Sequence, residues 1–389
     1  MMGFATYAAL LPELRDLWRL SNAEAGLIGS AFFVGYIATV SYWTALTDRV
    51  DGRRIYLGGS LLAVAGGAGF GAAAQGLASA ALFQVLLGAG VAATYMPGLR
   101  LLSDRVAGPS QSRYISFYTS FFGIGTALSL ALAGLLAASH GWRTAFVVSA
   151  LGPLLAGFTV YLFVAKAHQE QKPGPSFTLA TLFPVAAWRK VLADRAAAGY
   201  TLGYCMHCIE LFGSRGWMVA FLAFSAGLKA SDGAFPWNLA AIAAFVNLAA
   251  VPSSILGNEL ALQIGRGRWV RTAMVGSGAA GLVLALCAPA HWAIVLVLLI
   301  VHALLVMADS GTLTAGLVGT VPAELRGAAL GLYSLAGFAG GMIGPSLFGV
   351  ALDLGGGDAS ASAWVWAYGA IGAGCLCAPL AVRVFGRGR

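Results

Sequence analysis

Eleven apolar stretches of about twenty residues or more divide this chain, near 23–46, 55–76, 79–103, 114–138, 144–164, 196–226, 236–256, 269–288, 292–318, 327–352 and 362–384, and a shorter one covers 1–12. A helix rises about 1.5 Å per residue, so each long stretch matches the roughly 30 Å hydrocarbon core of a bilayer. A water-soluble fold needs about 25% charged residues to cover itself. Charged residues make up 10% of these 389, against 59% hydrophobic, with a mean hydropathy of +0.81. The runs are long and rich in Ala, Gly and Leu, unlike the alternating segments of about ten residues that build a membrane barrel. The expected fold class is an all-α polytopic membrane protein.

The chain also nearly repeats itself. Positions 44–54 read Thr-Ala-Leu-Thr-Asp-Arg-Val-Asp-Gly-Arg-Arg, and positions 257–267 read Gly-Asn-Glu-Leu-Ala-Leu-Gln-Ile-Gly-Arg-Gly. Gly52-Arg53 falls on Gly265-Arg266 without a gap, and the same offset carries Gly98 onto Gly311 and Arg113 onto Arg326. A long internal repeat in a membrane chain marks a two-halved transporter. The expected organisation is twelve spans: a first six-helix bundle over 1–164, a cytoplasmic linker over 165–192 around the polar run Gln169-Glu170-Gln171-Lys172-Pro173-Gly174-Pro175-Ser176, and a second bundle over 193–389. The first span does not fit this plan. Met1 to Pro12 gives only about 18 Å of helix, and the expectation is a truncated first helix whose true start lies upstream.

The formal net charge of +8 is a topology signal. Arg49, Arg53, Arg54, Arg105, Arg113, Arg266, Arg268, Arg271, Arg326 and most other basic residues fall on one side of the spans, while Arg15, Arg19, Arg143 and Lys229 fall on the other. The positive-inside rule makes the rich side cytoplasmic, which predicts a multi-pass protein of the inner (cytoplasmic) membrane with both termini inside. No nucleic-acid partner is expected. All five cysteines lie inside apolar spans, against a disulfide framework. Cys205-Met206-His207-Cys208 offers zinc-type ligands, but cysteines in apolar helices behave mostly as small hydrophobes, so no metal and no cofactor are expected. No nucleotide-binding lysine motif, Ser/His/Asp arrangement or metalloprotease signature occurs, and an enzyme is not expected.

The loop Asp48-Arg49-Val50-Asp51-Gly52-Arg53-Arg54 resembles the cytoplasmic signature between the second and third helices of the major facilitator superfamily, commonly Gly-x-Leu-Ala-Asp-Arg-x-Gly-Arg-Arg. Thr44 stands where the leading Gly belongs, and one residue is inserted before Gly52. Gly141-Trp142-Arg143 and Tyr95-Met96-Pro97-Gly98 look like the same family. The resemblance implies two six-helix bundles that rock about a midplane cavity, with the loop charges locking the cytoplasmic side. Asp48, Arg49, Arg53, Arg54 and Asp104 are the expected conformational gate, with Asp48 docked against a helix start near 327–329 and Arg53 reaching Asp104. Many proton-driven exporters of the superfamily carry an Arg four residues before a Gly of the fourth helix. Here that position is Gln84, before Gly88, and the Gly-Pro motif of such exporters is missing from the fifth span. Uptake is favoured over export on these grounds.

Ionisable groups in the bilayer core cost about 2.5–3.5 kcal/mol each on insertion scales, so their presence asks for a reason. The seventh span carries Tyr200, Tyr204, His207, Glu210 and Arg215, and the tenth carries His302 and Asp309. His207 and Glu210, three apart, share a helical face. In the resembled family these two spans help line the cavity, which makes Tyr204, His207, Glu210 and His302 candidates to meet near the midplane. Glu210 is the expected proton carrier, tuned by His207; pairing with Arg215 or His207 that only fixes helix packing is the alternative. Asp309, near the cytoplasmic end of its span, reads as a solvated helix end or a gate. Arg100 reads as a snorkelling residue or a fork for carboxylate or phosphate, and Tyr7 and Tyr36 complete the list.

These features together predict a secondary active transporter of a small organic solute, an anion being one option. Its expected partners are that solute, protons and the lipid bilayer, and it is expected to act as a monomer. Export of a drug or metabolite is the second reading, and a non-transporting receptor on the same fold is the third.

Overall fold

The computed structural model describes residues 1–47, 49–106, 111–166, 178, 182–229 and 235–385. Among them the secondary structure is helical, in the order α1 Thr6–Trp18, α2 Asn22–Leu46, α3 Gly52–Ala73, α4 Leu77–Ser103, α5 Gln111–Ser149, α6 Leu151–Phe163, α7 Val185–Ala193, α8 Arg195–Gly227, α9 Leu239–Ala250, α10 Ser253–Ile264, α11 Arg266–Leu286, α12 Trp292–Ala308, α13 Ser310–Thr320, α14 Arg326–Leu354, α15 Ala361–Leu376 and α16 Ala378–Phe385. Nine helical segments among the described residues are long and apolar enough to cross a membrane. Within the expected linker, residues 167–177 and 179–181 lie outside the described residues, and its last part forms most of α7. In α5 the chain turns at Gly141, whose φ of 80° lies outside the helical region and favours a residue without Cβ. The fifth and sixth apolar stretches meet there.

Helix ends follow the side chains that satisfy their free backbone N–H groups. Ser21 and Glu24 form a reciprocal capping box at the start of α2, with Ser21 N donating to Glu24 Oε2 at 2.8 Å and Glu24 N donating to Ser21 Oγ at 3.2 Å. Asp194 accepts from Ala197 N at 2.9 Å and opens α8. Asn238 accepts from Ala240 N at 2.9 Å and opens α9. The repeat-matched residues occupy matching places. Gly52 begins α3 and its match Gly265 directly precedes α11; Arg113 lies in the first turn of α5 and its match Arg326 begins α14.

The chain forms two compact units, Met1–Leu10 with Ala31–Pro184, and Leu11–Ser30 with Val185–Arg389. Residues 11–30, expected within the first bundle, group with the second unit. Asp353, at the end of α14, accepts from Asn22 N at 3.2 Å, Asn22 Nδ2 at 2.8 Å and Ala23 N at 2.8 Å. It thereby caps the free N–H groups at the start of α2.

Within each unit small residues let helix backbones approach, as they do in membranes. In the first unit a Cβ on Gly90 of α4 would meet the Ala63 backbone of α3. In the second, a Cβ on Gly344 of α14 would meet the Ile209 carbonyl of α8. The outward faces stay apolar: Leu151, Leu155, Phe158 and Leu162 are exposed along one stripe of α6. A contiguous apolar stripe of this kind needs lipid.

Candidate functional site

The loop before α3 is built by local chemistry. Asp51 caps the helix by accepting from Arg53 N at 3.0 Å, and its Oδ2 also accepts from Arg53 Nη2 at 2.7 Å. Arg53 Nη1 donates to the carbonyl of Val164, just past the end of α6, at 2.9 Å. Arg53 therefore does not reach Asp104, as the sequence suggested; a carboxylate two residues away, already ordered as a cap, is the cheaper partner. Asp104 lies 3.8 Å from Arg100 Nε, and Arg100 Nη1 donates to Thr47 Oγ1 at 2.7 Å. Arg49 and Arg54 are exposed. Asp48 lies outside the described residues.

The hydrogen bonds from Arg53 hold the Asp51 carboxyl below the usual carboxylate range. A depressed carboxylate contributes stability that is complete above the unfolded pKa of about 4 and is lost as pH falls through the folded value. Asp51→Ala is therefore expected to cost about 0.5–2 kcal/mol, the range for a lost cap. Thermal unfolding of the detergent-purified protein should show a gap between wild type and variant that is flat from pH 8 to 5 and closes in stronger acid.

The ionisable residues of the seventh and tenth apolar stretches come together inside the second unit. His207, Glu210, His302 and Asp309 are all about 2% exposed or less. His207 Nδ1 lies 2.7 Å from Asp309 Oδ1, close enough for an ion pair though too oblique for a hydrogen bond. Glu210 Oε2 accepts from Ser277 Oγ of α11 at 2.7 Å. Glu210 Oε1 lies 3.5 Å from His302 Nε2, which makes no hydrogen bond among the described residues. Four buried ionisable groups thus form two carboxylate–imidazole pairs linking α8 to α12.

Two expectations are corrected here. His207 and Glu210 do not form a pair of their own: though they share a face of α8, His207 pairs with Asp309 at the end of α12 and Glu210 with His302 within it. Asp309 is buried, not solvated. It sits where α12 gives way to α13, and the preceding carbonyl, Ala308 O, accepts from Trp269 Nε1 at 2.9 Å. Gly257 of α10 packs closely against that same carbonyl. The interruption in the apolar stretch thus lies inside the unit, where a Cβ at position 257 would collide.

Aromatic contacts fix the His207 ring. Tyr204 stacks on it with centroids 5.7 Å apart and on Tyr333 of α14 at 3.8 Å. The Tyr333 hydroxyl meets Thr314 Oγ1 at 3.0 Å. Such stacked pairs contribute about 0.5–1.5 kcal/mol beyond burial. Tyr368 of α15 meets His302 edge-on at 5.7 Å, and Gly281 of α11 leaves room for both rings. Ser277, Thr314, Tyr333, Tyr368 and Cys375, whose thiol borders Glu210, were not identified from sequence. Hydroxyl, thiol and aromatic residues in apolar helices give no signal of which way they face.

The remaining expected residues lie in the first unit. Tyr7 is buried and meets Phe70 at 6.2 Å, and Tyr36 is buried as well. Arg215 of α8 does not pair with Glu210; its Nη2 contacts Met307 Sδ at 3.4 Å.

A family model described as Major Facilitator Superfamily matches residues 1–315. The chain is similar to the Gentisate transporter of Corynebacterium glutamicum, 26% identical over 360 residues that cover 89% of this chain and 77% of that protein. It is also similar to the Niacin transporter NiaP of Acinetobacter baylyi, 26% identical over 163 residues that cover 42% of this chain and 36% of that protein. Several further matches likewise span about half of the relative's length or less. Among solved structures, a bacterial homolog of the human lysosomal transporter Spinster superposes with a TM-score of 0.76 at 16% identity, covering 100% of this chain and 95% of that one. At that identity the likeness shows the fold alone.

Proposed function

The chain belongs to the major facilitator superfamily, and on that footing we propose that it is a secondary active transporter that takes up a small organic anion together with protons. The observation that carries this reading is the pairing of two buried carboxylates with two buried imidazoles, His207–Asp309 and Glu210–His302, in a membrane-spanning unit. Structural stability alone does not call for such pairs, because an apolar core of the same volume is often as stable. Ionisable residues inside membranes mark ion and proton pathways.

The chemistry follows from the contacts. Charged Glu210 holds α8 to α11 through Ser277 and to α12 through His302. A proton arriving at this pair removes the carboxylate charge, and the charge-assisted contacts become neutral ones of about half the strength. The helices are then freer to shift, as alternating access requires. His302 Nε2, with no hydrogen bond among the described residues, is the natural donor and acceptor beside Glu210. His207–Asp309 forms a second carboxylate–imidazole pair about one turn away that keeps α8 and α12 in register.

An anionic solute is supported by the relatives named for gentisate and niacin transport, since both compounds are aromatic carboxylic acids. Uptake is supported by the neutral Gln84, buried in α4, at the position where exporters carry Arg. The protein acts as a monomer in the cytoplasmic membrane with both termini inside.

The test is transport by the purified full chain in proteoliposomes, with an inward-directed proton gradient (interior alkaline) and labelled 2,5-dihydroxybenzoate and nicotinate outside. Accumulation above equilibrium that a protonophore abolishes is expected. Movement of these acids only down their own gradients, or no movement in the presence of protein beyond that of empty vesicles, would refute the proposal.

A further inference from the structure

Among the described residues Arg215 is a cation without an anion. It stands five residues after Glu210 on α8, and no carboxylate among the described residues lies within ion-pair distance of it. The nearby acids are engaged, Asp309 by His207 and Glu210 by Ser277 and His302. A guanidinium has five N–H donors. The hydrogen bond made here goes to the thioether of Met307, a weak acceptor.

Position decides between two uses for such a charge. Arg215 is twelve residues from the nearer end of α8, at Gly227, which is about 18 Å along the axis. Inside an apolar span such a charge costs free energy unless something neutralises it. His207, Glu210, His302 and Asp309 are buried, whereas Arg215 is partly exposed, which makes it the more open of these groups to a ligand. Arg100, the other candidate fork, is already held by Thr47 and Asp104.

We propose that Arg215 is the anion-recognition residue of the solute site and takes the carboxylate of a small organic monoanion on its guanidinium. The assignment rests on the anionic-solute reading above and adds the residue that enforces it. A planar carboxylate matches the guanidinium fork with two parallel hydrogen bonds. Met307, which backs Arg215, is two residues before Asp309, so the proposed anion site and the His207–Asp309 pair are neighbours along the chain.

The test is equilibrium binding to the full chain in detergent at pH 7.5, using two acids and their neutral amides: 2,5-dihydroxybenzoate with 2,5-dihydroxybenzamide, and nicotinate with nicotinamide. Wild type is expected to prefer an acid over its amide by about tenfold or more, and Arg215→Gln to weaken acid binding by about 10–100-fold while amide binding stays unchanged. Arg215→Lys keeps the charge but loses the fork, so acid affinity falls less and the acid preference survives. An acid preference that persists in Arg215→Gln overturns the Arg215 assignment and leaves the anionic-solute reading standing. Wild type that binds amides as well as acids, or binds none of the four, overturns both. Should Arg215→Gln not yield monodisperse protein, Arg215→Lys decides, and acid affinity equal to wild type overturns the assignment.

Discussion

Glu210→Gln abolishes accumulation driven by a pH gradient and leaves solute exchange across the membrane near the wild-type rate. Gln has the size of Glu, can still hydrogen-bond Ser277 Oγ, and carries no charge at any pH, so it mimics the protonated carboxyl permanently. The groups facing Glu210 are Ser277 of α11, His302 of α12 and Cys375 of α15, with His207–Asp309 as the neighbouring ionisable pair. Ser277 cannot take up or release a proton in place of the lost carboxyl. Exchange of labelled for unlabelled solute needs the loaded carrier to reorient and does not need the proton to leave, whereas net uphill movement needs both. Counterflow and gradient-driven uptake, measured on the same proteoliposomes, separate these steps. Loss of both activities in a well-folded variant would make Glu210 a packing residue; retention of both would remove it from proton coupling.

The second large effect is on stability. His207→Phe keeps an aromatic ring against Tyr204 but leaves the Asp309 carboxylate buried without its cation. Removing one member of a buried ion pair costs about 3–5 kcal/mol, and Asp309 reduces the loss by taking up a proton. Replacing both, with His207→Phe and Asp309→Leu together, leaves nothing unpaired and is expected to restore much of the stability. A double-mutant cycle read by unfolding in detergent gives the coupling energy directly. Additive losses would show that the two side chains do not interact, despite their 2.7 Å separation.

The architecture was legible because length and apolarity alone define a spanning helix, and the apolar stretches of the sequence return as α2–α6 and α8–α15. Helix pairing was less legible. His207 and Glu210 were rightly placed on one helix, yet their partners depend on how α11 and α12 are rotated, which neither hydropathy nor spacing reports. Ser277, within Gly276-Ser277-Gly278, gave no sign that it would donate to a carboxylate. Asp309 reads as a solvated end or a gate because it lies toward the end of an apolar stretch; the Trp269 contact to Ala308 that holds this interruption inside the fold joins residues thirty-nine apart. Arg53 was assigned a distant acid when its cap, Asp51, was two residues away. In each case a local or cross-helix polar contact outranked the pattern that sequence can display.

The most direct measurement is internal pH, followed with a trapped pH-sensitive dye in proteoliposomes of the full chain while 2,5-dihydroxybenzoate or nicotinate is added outside. Protein-free vesicles subtract the passive entry of the neutral acid. Proton-coupled uptake predicts acidification of the interior in step with solute entry, lost in Glu210→Gln. Protein-dependent solute entry with no change in internal pH beyond that of empty vesicles would contradict it.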